Sequence, residues 1–255
     1  MRRTLSLTYC LTLGLALVGT AQAAEIRVFA AASLTDAFTE LGRTFSAKTG
    51  HKVTFQFAGS QVLRTQLERG ARADVYAGAS LAQFTPLERA RLVSPGRFFA
   101  SNHLVAAVPA ASPLRSLNDL TRPGVNIVIA ARNVPAGEYT QRMLEQLGTS
   151  GAYGPTFPAR FMKNVVSQES NVRQAALKVQ LGQADAAIIY ASDLTPSLRR
   201  QVRALPIPAQ FSQNVRYVLA PVRGSKQPQA AQAFADFTLS AQGQSILRKW
   251  GFGAP

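Results

Sequence analysis

Short apolar runs alternate with longer stretches of helical spacing along most of the chain, and this alternation restricts the fold more than any other feature. Residues 26–31 read as a strand, after which Leu34, Ala37, Phe38, Leu41 and Phe45 recur on one helix face. Residues 53–57 form the next strand and 62–69 a helix ending at Gly70. A third strand over 74–78, a helical pattern over 84–91 and an apolar strand over 103–109 follow. Residues 125–131 are almost wholly apolar, as in a strand covered on both faces, and 135–147 make a helix with Gly148 at its close. Val172, Ala175, Ala176 and Val179 line a helix face ending at Gly182, and strands over 186–190 and 215–222 precede terminal helices over 229–249. Strands and helices in this order predict an α/β fold with mixed, mostly parallel sheets flanked by helices. No internal repeat or low-complexity tract is visible.

Composition narrows the class. With 255 residues and 47% hydrophobic content, the chain can bury a sizeable core, which excludes wholesale disorder and collagen-like or disulfide-scaffold architectures. Arg2 and Arg3, an apolar run over 11–18 and Ala21-Gln22-Ala23 predict a secretory signal peptide over 1–23. The run is too short for a permanent membrane span, and Cys10, preceded by Tyr9 inside it, is misplaced for a lipid anchor. Removing residues 1–23 takes two arginines from a net charge of +15 and leaves 232 residues at +13. It also removes the only cysteine, so disulfides, thiolate metal sites and cysteine nucleophiles are excluded. So strong a positive charge raises nucleic acid, an anionic membrane or an anionic ligand as partners. The arginines are scattered rather than striped, which favours a solvated basic surface and no nucleic-acid partner.

Several strand ends lead into helix starts through small or hydroxyl residues. Ser33 stands three residues before Asp36 in a capping-box arrangement, Gly59-Ser60 opens the second helix, Pro135-Ala136 the third, and Asn171-Val172 the fourth with Asn171 as its cap. The first turn of a helix carries unpaired N–H groups and the positive end of its dipole, so such ends suit an anion if they converge. The alternative is that Ser33, Ser60 and Asn171 cap their own helices, and periodicity does not decide between the two. Catalytic motifs are missing: there is no G-x-S-x-G, no phosphate loop and no G-x-G-x-x-G. His51 and His103 lie by strands with no acid at ligand spacing, and Asp74, Asp185 and Asp193 sit singly. Tyr190, at a strand's carboxyl end, is either core or a phenolic donor facing a cleft.

Five stretches in order resemble the periplasmic molybdate-binding proteins of molybdate ABC transporters, the ModA family. They are VFAAASLTDAF (28–38), FAGSQVLRTQLERGARADVYAGAS (57–80), NVPAGEYTQRMLEQLG (133–148), ESNVRQAALKVQLGQADAAIIYASD (169–193) and WGF (250–252). The resemblance implies a two-lobed binding protein of type II with its ligand in the interlobe cleft. Residues 24–102 and 213–255 would form lobe I and residues 103–212 lobe II. It implies an oxyanion held by the hydroxyls of Ser33 and Ser60, the backbone N–H groups of Ala136 and Val172, and the Tyr190 phenol, with no cation ligands and no cofactor. The implied ligands are molybdate and tungstate, the partner a membrane permease, the state a monomer and the location the periplasm or another extracytoplasmic space. Gly59 stands where relatives can carry a hydroxyl, and Asn171 replaces an acid that some relatives carry. Other readings are a binder of a different oxyanion or small anionic solute on the same scaffold, or a secreted serine hydrolase using Ser33 or Ser60 with a histidine.

Overall fold

The computed structural model describes residues 23–255; apart from Ala23, the expected signal segment lies outside the described residues. Ten strands and eight α-helices alternate: β1 (Glu25–Ala31), α1 (Thr35–Thr49), β2 (Lys52–Ala58), α2 (Ser60–Glu68), β3 (Val75–Gly78), α3 (Leu81–Arg89) and β4 (Arg97–Asn102) come first. They are followed by β5 (Leu104–Pro109), β6 (Ile127–Ala130), α4 (Pro135–Thr149), α5 (Phe157–Lys163), β7 (Val165–Glu169), α6 (Val172–Gln180), β8 (Ala186–Tyr190) and β9 (Val202–Pro206). Last come β10 (Val215–Pro221), α7 (Pro228–Leu239) and α8 (Ala241–Lys249).

The strands form two five-stranded sheets with the orders β2-β1-β3-β10-β4 and β7-β6-β8-β5-β9. Each sheet with its helices makes a lobe. Within each, four strands run one way, and the exception, β10 or β5, pairs antiparallel with both neighbours. These two are the strands that the chain enters when it crosses from the other lobe. The carboxyl ends of the parallel strands face the cleft, so a segment arriving across the cleft starts its strand there and must run backwards.

Replacing each strand by its counterpart turns one order into the other: β1 matches β6, β2 matches β7, β3 matches β8, β10 matches β5 and β4 matches β9. A faint repeat accompanies this correspondence, contrary to the expectation of none. After α2, Gly70 at φ +85° leads into Ala73-Asp74 and β3; after α6, Gly182 at φ +69° leads into Ala184-Asp185 and β8. Both aspartates do the same work: Asp74 accepts the Arg27 N–H at 2.7 Å and Asp185 the Asn126 N–H at 2.8 Å, each pinning the start of the central strand.

Helices α2 and α3 cover one face of the first sheet over a cluster including Phe29, Leu63, Tyr76 and Phe84. On its other face α1, α7 and α8 close over Phe38, Phe45, Phe99 and Phe234, in a core continuous with that of the second lobe. Phe234 meets Phe38 and Phe45 edge-on, at centroid distances of 6.0 and 5.4 Å.

Candidate functional site

The five residues singled out in the sequence stand at the cleft ends of five parallel strands. Ser33 follows β1 in a 3-10 turn (Ala32–Leu34), Ser60 opens α2 after β2, and Ala136 is second in α4 after β6. Val172 opens α6 after β7, and Tyr190 ends β8. All five are buried, and together with Gly59, Ala79 and Asn171 they line one small cavity between the lobes, with about 10 Å³ of room for the centre of a water-sized sphere. That is far below the roughly 300–1,000 Å³ of sites for drug-sized organic ligands, so only a small solute fits. The carboxyl ends of strands are where open α/β sheets present ligand sites.

Neither serine caps a helix, which corrects the capping-box reading of Ser33 and Asp36. Leu34 holds the N-cap position of α1 without a side-chain bond, and the Ser33 hydroxyl lies 2.8 Å from the phenol of Tyr217 on β10. Gly59 is the N-cap of α2, and Ser60 Oγ accepts the Ala79 N–H at 3.1 Å, leaving its own proton for another partner. Asn171 does cap its helix, accepting the Gln174 N–H at 3.1 Å. That bond, and the Glu138 N–H bond to Val134 O at 2.9 Å in α4, are the first in their helices. The N–H groups of Val172 and Ala136 precede them and have no helical acceptor.

The Tyr190 hydroxyl is buried without a hydrogen-bond partner in the protein. Burial, reinforced by the neighbouring phenol of Tyr217, raises its pKa well above the ordinary tyrosine value, so it stays a neutral donor. Behind it, Tyr190 N–H donates to Asp193 Oδ2 at 3.1 Å. Asp193 Oδ1 is 2.9 Å from Arg173 Nε, too poorly aligned for a hydrogen bond, and Arg173 Nη2 also reaches Asp36 of α1 in the opposite lobe. Burial outweighs that guanidinium and pushes the Asp193 carboxyl up to about 6. Further contacts cross the cleft: Gln61 Nε2 donates to Ser170 O at 2.9 Å and Gln83 Nε2 to Asn133 O at 3.3 Å.

Neither histidine is a hydrogen-bond partner of either serine. His51 Nδ1 accepts the Ala24 N–H at 3.1 Å, and Ser33 and Ser60 are engaged by Tyr217 and Ala79, which removes the hydrolase arrangement. Among the described residues no three acidic, histidine or cysteine side chains group as a metal site would require. The sequence reading did not find Tyr217, Asn102 or the Asp36–Arg173–Asp193 bridge, whose partners are far apart in the chain. The arrangement as a whole is a set of uncharged donors on two facing lobes.

Residues 26–253 match the family model for bacterial extracellular solute-binding proteins. The chain belongs to that family. Within it, the chain is 38% identical over 238 residues to the molybdate-binding protein ModA of Mycobacterium tuberculosis H37Rv, covering 91% of this chain and 86% of the relative. The ModA protein of Escherichia coli K12 is 29% identical over 263 residues, covering 98% of each. The chain is therefore a ModA-type solute-binding protein, a class of transport component that performs no covalent chemistry. In fold it is similar to the periplasmic molybdate-binding protein of Azotobacter vinelandii (TM-score 0.77, 18% identity, 90% of this chain and 99% of that one). It is equally similar to the sulfate-binding protein SubI of M. tuberculosis (TM-score 0.78, 20% identity, 90% and 86%). The shared type II scaffold thus serves more than one oxyanion.

Proposed function

We propose that this solute-binding protein takes up molybdate, and tungstate with it, in the cavity between Ser33, Ser60, Ala136, Val172 and Tyr190, and hands the anion to the permease of an ABC transporter outside the cytoplasm. The observation that carries the reading is chemical: the cavity offers hydroxyl and backbone N–H donors, while none of its lining residues is a carboxylate or a cation. A fully deprotonated tetrahedral dianion needs donors on every oxygen and no acceptor. Phosphate near neutrality keeps a proton, and burying that proton unpaired costs about 1–3 kcal/mol. Four helix or turn starts add the positive ends of their dipoles. One chain supplies all five residues, so a monomer suffices. Among the described residues no helix is long and apolar enough to cross a membrane, and the reading assigns membrane passage to the partner permease.

Calorimetric titration of residues 24–255 with molybdate, tungstate, sulfate and phosphate at two salt concentrations tests this. Tight one-to-one binding of the first two, weak binding of the others and little salt dependence are expected. Silence toward all four in folded protein would refute the reading, and affinity falling steeply with salt would indicate binding on the basic surface instead.

A further inference from the structure

Behind Ser33 runs a buried hydrogen-bond chain whose direction is set by one backbone group. The His103 N–H, at the crossing between β4 and β5, donates to Asn102 Oδ1 at 2.9 Å. A backbone N–H cannot accept, so the Asn102 amide is fixed with its oxygen toward His103 and its NH2 group inward. That NH2 group donates to Ser192 Oγ at 2.8 Å and to the Tyr217 hydroxyl at 3.4 Å. An amide nitrogen has no lone pair to offer, so the Tyr217 proton must go to its other neighbour, Ser33 Oγ, 2.8 Å away. The opposite polarity, Ser33 donating to Tyr217, would strand a buried phenolic proton without an acceptor. Burial keeps Tyr217 protonated, with a pKa raised above the ordinary tyrosine value.

We propose that Asn102 and Tyr217 are specificity-determining positioning residues: they fill one lone pair of Ser33 Oγ and leave its proton free for the cavity, so that the site favours donating to an oxyanion over accepting from one. The inference rests on oxyanion binding at Ser33 and adds to it the origin of selectivity against protonated anions. Neither Asn102 nor Tyr217 lines the cavity; both act through Ser33. Ser60 is held in the same sense by Ala79 N–H, so both serine hydroxyls are polarised as donors.

The test compares molybdate with hydrogen phosphate at mildly alkaline pH, where both are dianions. A change in local charge cancels in their affinity ratio, which then reads hydrogen-bond polarity. Tyr217→Phe keeps the ring packed edge-on against Phe99 and Phe252 but frees the Ser33 hydroxyl to turn. The molybdate-to-phosphate ratio is expected to fall about tenfold, the worth of one oriented hydrogen bond. Asn102→Asp, which presents an acceptor to Tyr217, is expected to reverse the chain and shift the ratio further, with phosphate gaining while molybdate loses. In a Ser33→Ala background Tyr217→Phe should leave the ratio where Ser33→Ala alone puts it, an outcome that a general packing defect would not produce. An unchanged ratio in Tyr217→Phe with a wild-type melting temperature overturns the assignment, whether or not Asn102→Asp folds. Wild-type protein that binds neither ion refutes the oxyanion reading itself, before any substitution is compared.

Discussion

Ala136 has a methyl side chain, so whatever it gives a ligand comes from its N–H. Proline is accommodated in the first turn of a helix, and Ala136→Pro deletes that donor without a helical bond to lose. Titration with molybdate should show binding lost in Ala136→Pro and nearly kept in Ala136→Gly, with similar melting temperatures; equal behaviour of the two would remove the backbone role. Asp193 makes a different demand. Its folded pKa, about 6, lies above the ordinary 3.8, so the folded state holds the proton more tightly. Its contribution is therefore most favourable below pH 3.8 and is lost as pH rises through about 6. Replacing it by Asn should remove that slope from a plot of melting temperature against pH, and an unchanged slope would assign it to other groups. At this scale the sequence showed which residues sit at strand ends, and the family resemblance chose five of them. It could not show what Ser33 touches, because Tyr217 is 184 positions away.

Among the elements, the strands not read from the sequence, β4, β7 and β9, are all sheet edges. An edge strand buries less, and β7 alternates partly buried with exposed residues where a central strand such as β8 is buried throughout. The apolar run that marks a strand is therefore diluted by polar residues. Helix α5, seven residues anchored by Phe157 and Phe161, is too short to show a period. Gly148, expected to close α4, lies inside it, packed against Pro158, and the helix runs on to Thr149. Gly137 has a stricter reason: a Cβ there would sit 2.0 Å from Ala131 O and 2.5 Å from Ala130 O, so α4 meets the end of β6 backbone to backbone. Gly137→Ala must push the helix start away, costing about 1–3 kcal/mol as overpacking does. A lower urea midpoint together with weaker anion binding is the expected result, since the Ala136 N–H moves with the helix.

Across the whole molecule, closure depends on how near α2 can come to the opposite lobe. A Cβ on Gly59 would lie 2.6 Å from Ser170 O across the cleft, a backbone atom that cannot turn aside. Gly59→Ala should leave the ligand-free melting temperature almost unchanged while weakening anion affinity about tenfold, the factor expected if the closed state becomes about 1.4 kcal/mol less favourable. Titration and small-angle scattering with saturating anion would check it, full compaction with wild-type affinity being the contrary result. The pairing of Asn102 with Val215, the last residue of β4 and the first of β10, has a consequence for how the chain is spliced. Everything between those neighbours is a detour from what would otherwise be a hairpin, and at the far side Val105 is paired with Pro206, so the detour also begins and ends at one spot. A chain in which residues 103–214 give way to an Asn-Gly turn should fold as an autonomous miniature, and the excised segment as a second. Two-dimensional NMR of each piece, set beside the intact protein, would show whether the gene can be unthreaded in this way.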